Sequence, residues 1–95
     1  MNEPYFIVVC TFGAGSSLML RLNVESALRD MGVPKFKVEV SDMGGCKNKQ
    51  PSAYLCSIVL QPNLVAQNPG APVVAIKDFY SKEELSAALR PYVER

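Results

Sequence analysis

The N-terminal part of the chain sets an apolar strand directly before a helix, with a short glycine-bearing segment between them. Residues 5–9 (YFIVV) form an unbroken aromatic and β-branched run, which is typical of a strand covered on both faces. Residues 17–31 place apolar side chains at the helical period, and Gly32 and Pro34 indicate where that helix ends. A fully buried strand followed at once by a helix favours a parallel α/β sheet.

Alternating strands and helices are predicted along the rest of the chain. The predicted elements are an edge strand at 36–40, a strand at 54–60, a short helix at 61–67 and a strand at 72–76. The sequence Ser81-Lys82-Glu83-Glu84 is a capping box that opens a last helix. We expect Pro91 to end or kink this helix near Arg90.

This order of elements predicts a small doubly wound, flavodoxin-like α/β fold. Right-handed crossovers give a four-stranded parallel sheet in the order 2-1-3-4, with helices on both faces. We expect residues 1–95 to form a single domain. In such sheets ligands bind outside the carboxyl ends of the strands, at the switch point beside the first strand. The segment that follows residue 9 falls at that point.

Composition excludes several classes of function. The formal net charge is +1, and no run of lysine and arginine offers a nucleic-acid or membrane surface. No apolar stretch approaches the ~20 residues that span a bilayer. The chain has three cysteines and no histidine, which argues against a metal site and against catalysis through histidine. We expect a cytoplasmic protein with free thiols, no metal and no cofactor.

The segment between the first strand and the first helix combines a thiol with an anion-binding backbone. Glycines let the chain turn tightly and direct several N–H groups at one point, and the following helix adds unpaired N–H donors and a partial positive charge. The same field favours the thiolate form of a cysteine. The candidate nucleophile is Cys10, and the candidate phosphate-binding residues are Thr11, Phe12, Gly13, Ala14, Gly15, Ser16 and Ser17.

A thiol beside a phosphate cradle leaves three kinds of function open. Low-molecular-weight tyrosine phosphatases use a cysteine, five residues and then an arginine at the same connection, but here the arginine position holds Ser16. That arginine would bind the phosphoryl group in a bidentate manner and stabilise the transition-state charge. Its absence favours a carrier that passes the phosphoryl group on, with a cysteine phosphatase-like hydrolase as the alternative. A non-catalytic regulator on the same fold is a third hypothesis.

Residues 10–25 (CTFGAGSSLMLRLNVE) resemble the IIB component of the bacterial sugar phosphotransferase system (PTS), in particular its ascorbate type, near the galactitol type. The resemblance extends to residues 54–59 and 75–81. It implies that a phosphohistidine on a IIA protein donates its phosphoryl group to Cys10. The phosphocysteine then donates to a sugar that is bound by the membrane component IIC, and the ascorbate type of the resemblance implies an ascorbate-like sugar.

Three features near this segment stay open. Thr11-Phe12 departs from the glycine that commonly follows the cysteine in the family, and Phe12 either contacts a docking partner or packs on its own loop. Cys46 and the polar segment 42–49 either border the site or form a solvated loop. Cys56 lies in the middle of a predicted strand and is interpreted as a buried structural residue.

Overall fold

A computed structural model describes residues 3–9, 14–42, 44–45 and 49–93, and for residues 14–17 it describes the backbone alone. Strands and helices alternate through these ranges. In chain order they are β1 (Tyr5–Val9), α1 (Ala14–Asp30), β2 (Lys37–Ser41), β3 (Ala53–Ser57), α2 (Gln61–Gln67), β4 (Val73–Ile76) and α3 (Lys82–Val93). None of the helices in these ranges is long and apolar enough to cross a membrane.

The four strands form one parallel sheet in the order β2-β1-β3-β4, which confirms the predicted fold class. β1 lies inside the sheet, with Phe6 paired to Val38 of β2 and to Ala53 of β3. β2 lies at an edge, as its alternating sequence predicts. Because parallel strands need crossover connections, the helices lie on the faces of the sheet.

Two apolar clusters fill the two faces. The larger cluster lies under α1 and α3, and its buried members are Phe6, Val8, Leu20, Val24, Ala27, Leu28, Val38, Ala53, Leu55, Ile76, Leu85 and Leu89. The smaller cluster lies under α2, and its buried members are Ile7, Val9, Tyr54, Cys56 and Leu64. Alternate residues of β1 point into the two clusters, so this strand is buried on both faces as its sequence predicts.

α1 ends where the sequence predicts. The Gly32 N–H donates to the Arg29 carbonyl, and the Val33 N–H donates to the Leu28 carbonyl. This pair of bonds is the Schellman motif, which needs a left-handed residue, and Gly32 supplies it with a φ of +82°. The turn directs the chain back towards the edge strand β2.

β3 and α3 end at residues other than those that the sequence predicts. β3 stops at Ser57, and Ile58 and Val59 form an exposed turn rather than strand. α3 does not end near Arg90 but continues through Pro91 to Val93. The missing N–H of Pro91 falls in the last turn, and the continued helix brings Tyr92 into edge-to-face contact with Phe6, with ring centroids 6.4 Å apart.

Half of the predicted capping box forms at the start of α3. The Ser81 hydroxyl accepts a hydrogen bond from the Glu84 N–H at 3.1 Å, which caps the helix. The Glu84 carboxylate does not complete the box. It accepts instead from the N–H groups of Lys77 and Asp78, at the carboxyl end of β4.

Replacing Ser81 by alanine should lower the free energy of unfolding by about 0.5–2 kcal/mol, because the first turn of α3 loses its side-chain acceptor. Urea denaturation monitored by circular dichroism measures the change. Ser86→Ala, inside α3, is the matched control and should leave stability unchanged or slightly higher, since alanine has the better helix propensity. If both substitutions changed the free energy of unfolding equally, the role of Ser81 as the N-cap would be contradicted.

A polar cluster joins β1 to the edge strand β2. The Tyr5 hydroxyl donates to the Glu39 carboxylate at 2.5 Å, and Lys37 Nζ lies 3.3 Å from the same carboxylate. The hydrogen bond from Tyr5, followed by Lys37, lowers the pKa of Glu39. Burial, followed by the bond to Glu39, raises the pKa of Tyr5 to about 12.

Tyr5→Phe should raise the pKa of Glu39 towards its ordinary value, because the main group that favours the carboxylate is removed. The folded-state pKa lies below the unfolded one, so the Glu39 carboxylate stabilises the fold at neutral pH. This contribution is lost as pH falls through the lowered pKa. Carboxyl NMR titration measures the pKa. Tyr92→Phe is the control and should leave the pKa of Glu39 unchanged, because the Tyr5 hydroxyl stays in place. If Tyr5→Phe also left the pKa of Glu39 unchanged, the hydrogen bond from Tyr5 would not be its cause.

Candidate functional site

The carboxyl end of β1 is the point at which the two halves of the sheet diverge. β1 leads through α1 to β2 on one side, and the chain then crosses back to β3 on the other side. In doubly wound sheets such a point is a crevice outside the strand ends, and it is where ligands bind. The candidate nucleophile Cys10 and the candidate phosphate-binding residues Thr11, Phe12 and Gly13 lie outside the described residues.

α1 begins earlier than the sequence predicts. The helix starts at Ala14 rather than near Ser16, so Ala14, Gly15, Ser16 and Ser17 form its first turn instead of extending the loop. The first four N–H groups of an α-helix have no partner within the helix and carry its partial positive charge. A connection of four residues links the end of β1 to this turn. The backbone donors therefore lie next to the crevice, as an anion cradle requires.

A tight turn follows β2 on one side of the crevice. Val9 pairs with Ser41, so β1 and β2 end at the same level of the sheet. The Asp42 carboxylate accepts a hydrogen bond from the Gly45 N–H at 2.5 Å, and a Cβ on Gly45 would lie 3.0 Å from Asp42 Oδ1 and from Ser41 Oγ. The start of the predicted polar segment is therefore held by the Asp42 side chain, and a side chain at position 45 would crowd Asp42 and Ser41. Cys46 lies outside the described residues.

Cys56 is a core residue, as its sequence context predicts. Its side chain is fully buried in the cluster under α2, and its Sγ lies 3.8 Å from the Val74 carbonyl oxygen. Burial raises the pKa of this thiol to about 11, so the neutral form dominates at physiological pH. Cys56 therefore lacks the properties of a reactive thiol.

The connection from β4 to α3 is held by several hydrogen bonds that sequence inspection did not identify. The Glu84 carboxylate accepts from the Lys77 N–H at 2.7 Å and from the Asp78 N–H at 2.9 Å. Asp78 Oδ1 accepts from the Tyr80 N–H at 2.9 Å. These bonds fix the backbone on both sides of Phe79. The sequence clue was that Glu84 lies in a capping box. The spacing of residues in the sequence does not show that its carboxylate binds the Lys77 and Asp78 N–H groups instead.

Asn23 connects this loop to α1. Its side-chain amide donates to the Phe79 carbonyl at 2.7 Å across 56 residues of sequence. The sequence clue was that Asn23 is an amide placed between the apolar residues Leu22 and Val24. The bond brings the first half of α1 and the β4–α3 loop together.

Large apolar side chains are exposed around the carboxyl edge of the sheet. Those on α1 are Leu18, Met19 and Leu22, and those on the strand ends and loops are Val40, Ile58, Val59 and Tyr80. Val40 lies in the edge strand β2 and is 40% exposed. Isolated exposed apolar residues are ordinary, but their concentration at one edge is typical of an interaction surface.

The fold and the edge described above define a parallel α/β protein whose first helix begins at the switch point of the sheet. A family model described as the lactose/cellobiose-specific IIB subunit of the PTS matches residues 6–91. The ascorbate-specific PTS system EIIB component of Mycoplasma pneumoniae is 27% identical over 88 residues, which cover 90% of this chain and 90% of that protein. The chain belongs to the PTS IIB family, which confirms the resemblance found in its sequence.

Membership of this family places the chain in a sugar phosphotransferase system. IIB components work there in general with IIA and IIC components. The two descriptions differ in sugar, since one gives lactose or cellobiose and the other gives ascorbate. Both descriptions therefore agree that the chain is similar to a IIB component, and they give different sugars.

Cys56 should resist thiol reagents in the folded protein. At pH ~8, a pKa of about 11 leaves roughly one thiol in a thousand ionised, and the core excludes the reagent. In a Cys10→Ser/Cys46→Ser background, modification by a chromogenic disulfide should be at least ~100-fold slower than in denaturant. Val59→Cys in the same background places a thiol at a position that is 78% exposed and serves as the fast control. Equal rates for the two would contradict a buried Cys56.

Proposed function

We propose that this chain is a phosphoryl carrier of a bacterial sugar PTS, in which Cys10 forms a phosphocysteine. The observation that supports this most directly is the position of the candidate segment. In a chain of the IIB family, it connects the carboxyl end of β1 to the first turn of α1 at the switch point of the sheet. A cysteine in such a connection lies in the field of the helix terminus, which favours a thiolate.

The first step is transfer from a phosphohistidine on a IIA protein. The Cys10 thiolate attacks phosphorus, an S–P bond forms, and the P–N bond breaks. The imidazole nitrogen keeps the electron pair and takes up a proton. The backbone N–H groups of residues 11–17 and the hydroxyls of Ser16 and Ser17 bind the phosphoryl oxygens. Donors placed in advance around the phosphoryl oxygens stabilise the transition state without reorganisation.

The second step is transfer to a sugar bound by the membrane component IIC. A sugar hydroxyl attacks phosphorus, its proton passes to a base or to water, and the S–P bond breaks with return of the thiolate. Ser16 occupies the position at which a cysteine phosphatase has arginine, so hydrolysis lacks its main electrostatic assistance. The phosphocysteine therefore lasts long enough to reach the acceptor. This chemistry locates the chain in the cytoplasm, between IIA and IIC.

The sugar is proposed to be ascorbate-like. The support is the ascorbate-specific component of Mycoplasma pneumoniae, which matches along nearly the whole chain. The family model's description in terms of lactose and cellobiose is the competing assignment. Growth and uptake assays with each sugar, in a strain that lacks this gene, distinguish the two.

Phosphorylation of Cys10 is tested with phosphoenolpyruvate, the general PTS proteins and a cognate IIA, followed by intact-mass spectrometry. The wild-type chain should gain one phosphoryl group, and Cys10→Ser should gain none. Cys46→Ser is the matched thiol control and should be phosphorylated as the wild type is. Incorporation that persists in Cys10→Ser would overturn the assignment of the acceptor.

The phosphatase alternative predicts a different result with a chromogenic aryl phosphate. A carrier should release little phenol even at high protein concentration. Robust multiple turnover that is abolished by Cys10→Ser would contradict the carrier and support the hydrolase.

A further inference from the structure

Asn23 joins α1 to the loop that follows β4. Its side chain is partly buried, and its amide donates to the Phe79 carbonyl at 2.7 Å. On α1, Asn23 lies at helical spacing between Leu20 and Ala27, both of which are buried in the larger cluster. The amide therefore lies at the border of the apolar side of α1, where that side meets the β4–α3 loop.

The acceptor of this bond is itself held in place. The Glu84 carboxylate accepts from the N–H groups of Lys77 and Asp78, which precede Phe79. Asp78 Oδ1 accepts from the Tyr80 N–H, which follows Phe79. The Phe79 side chain packs against the larger cluster. The Phe79 carbonyl is therefore fixed relative to β4 and α3, and a side chain that binds it takes its position from them.

Apolar packing alone determines the position of α1 less closely than this bond does. Contacts between apolar side chains have no preferred direction, and helices shift by about 1–2 Å where proteins change state. A hydrogen bond weakens steeply when its angle changes. The bond from Asn23 therefore resists sliding of α1 along its own axis. A second link from α1, the ion pair of Asp30 and Lys82, is exposed at the other end of the helix and contributes little.

The axial position of α1 matters because this helix begins at the switch point of the sheet. Asn23 lies nine residues after Ala14, which is roughly 14 Å along the helix. α1 is continuous from Ala14 to Asp30, so sliding at Asn23 moves the first turn with it. The partial positive charge of a helix acts within its first turn. A displacement of about 1 Å in a reacting geometry can cost a factor of about 100 in rate.

We infer that Asn23 is a positioning residue for phosphoryl transfer to Cys10. This inference rests on the proposed function. Through the Phe79 carbonyl, Asn23 sets how far the first turn of α1 extends towards the carboxyl end of β1. It thereby sets how closely the N–H groups of that turn approach the phosphoryl oxygens. Asn23 acts through the helix rather than by contact with the phosphoryl group.

The test compares variants in the transfer of the phosphoryl group from phosphorylated IIA to Cys10. Asn23→Leu keeps the size of the side chain and favours a helix, but leucine cannot donate to Phe79. We expect kcat to fall about tenfold while KM changes less than about twofold, because a displaced first turn stabilises the transition state less. Asn23→Gln keeps an amide donor and should retain at least about half of the wild-type kcat.

Ser81→Ala is the matched control. It removes the N-cap of α3 in the same loop and lowers stability, but it leaves the bond between Asn23 and Phe79 in place. It should change kcat less than about twofold. Circular dichroism confirms that each variant is folded at the assay temperature. If Ser81→Ala and Asn23→Leu slow the transfer equally, loss of stability is the cause and the positioning role is overturned.

A second measurement does not require IIA. In a Cys46→Ser background, the rate at which iodoacetamide alkylates Cys10 is measured against pH, while Cys56 is protected by burial. Asn23→Leu should move this profile to higher pH, because the thiolate of Cys10 loses part of the field of the helix terminus. Ser81→Ala should leave the profile unchanged.

The outcomes distinguish a failure of this inference from a failure of the proposed function. If the wild-type chain acquires no phosphoryl group, the proposed function fails. If the wild type is phosphorylated and Asn23→Leu matches it in kcat and in the pH profile, the bond serves stability alone and the positioning role is wrong. If Asn23→Leu raises KM and leaves kcat unchanged, Asn23 affects binding of the donor, and the positioning role is again overturned.

Discussion

The burial of β1 on both faces is the constraint on which the rest of the structure depends. Phe6, Ile7 and Val8 are completely buried, and consecutive residues of a strand point to opposite faces. Each such side chain contributes about 1.5–3 kcal/mol only if apolar elements cover its face. β1 must therefore lie inside the sheet with helices on both sides. That requirement places its carboxyl end at the switch point, where the candidate segment begins.

α1 serves the core and the functional edge at the same time. Leu20 and Val24 pack in the larger cluster, whereas Leu18 and Leu22 on the same turns face outward. The inner positions fix the helix against the sheet, so the positive end of the helix and its outer apolar surface are held in one orientation. The start of α1 is therefore held in a fixed position relative to the carboxyl end of β1.

Local patterns were sufficient to predict most of the fold. The buried run of β1, the apolar period of α1 and the stop at Gly32 depend on short-range chemistry, and all three are confirmed. The strand predicted at 54–60 is too long, since β3 ends at Ser57. Ile58 and Val59 are β-branched, but a strand propensity does not show that the chain turns there.

The features around the candidate site were harder to predict because they depend on contacts between distant residues. The bond from Asn23 to Phe79 and the exposure of Tyr80 depend on how α1 and the β4–α3 loop pack, and spacing along the chain does not contain that information. The partners of Glu84 were missed because its carboxylate reaches back over the β4–α3 loop to Lys77 and Asp78, and the path of that loop is not given by spacing. The chemical role of Cys10 stays a prediction from its motif and family.

The small size of α2 determines how reagents reach the thiol of Cys56, which lies beneath it. α2 has seven residues, its N-cap Leu60 has an apolar side chain that cannot accept a hydrogen bond, and Leu64 is its fully buried contribution to the core. A helix with so few stabilising contacts opens by local unfolding before the rest of the molecule does. Such an opening uncovers the cluster that contains Cys56 while the larger core under α1 and α3 stays closed. Because Cys56 is fully buried in that cluster, a reagent reaches it in an otherwise native molecule only through such an opening.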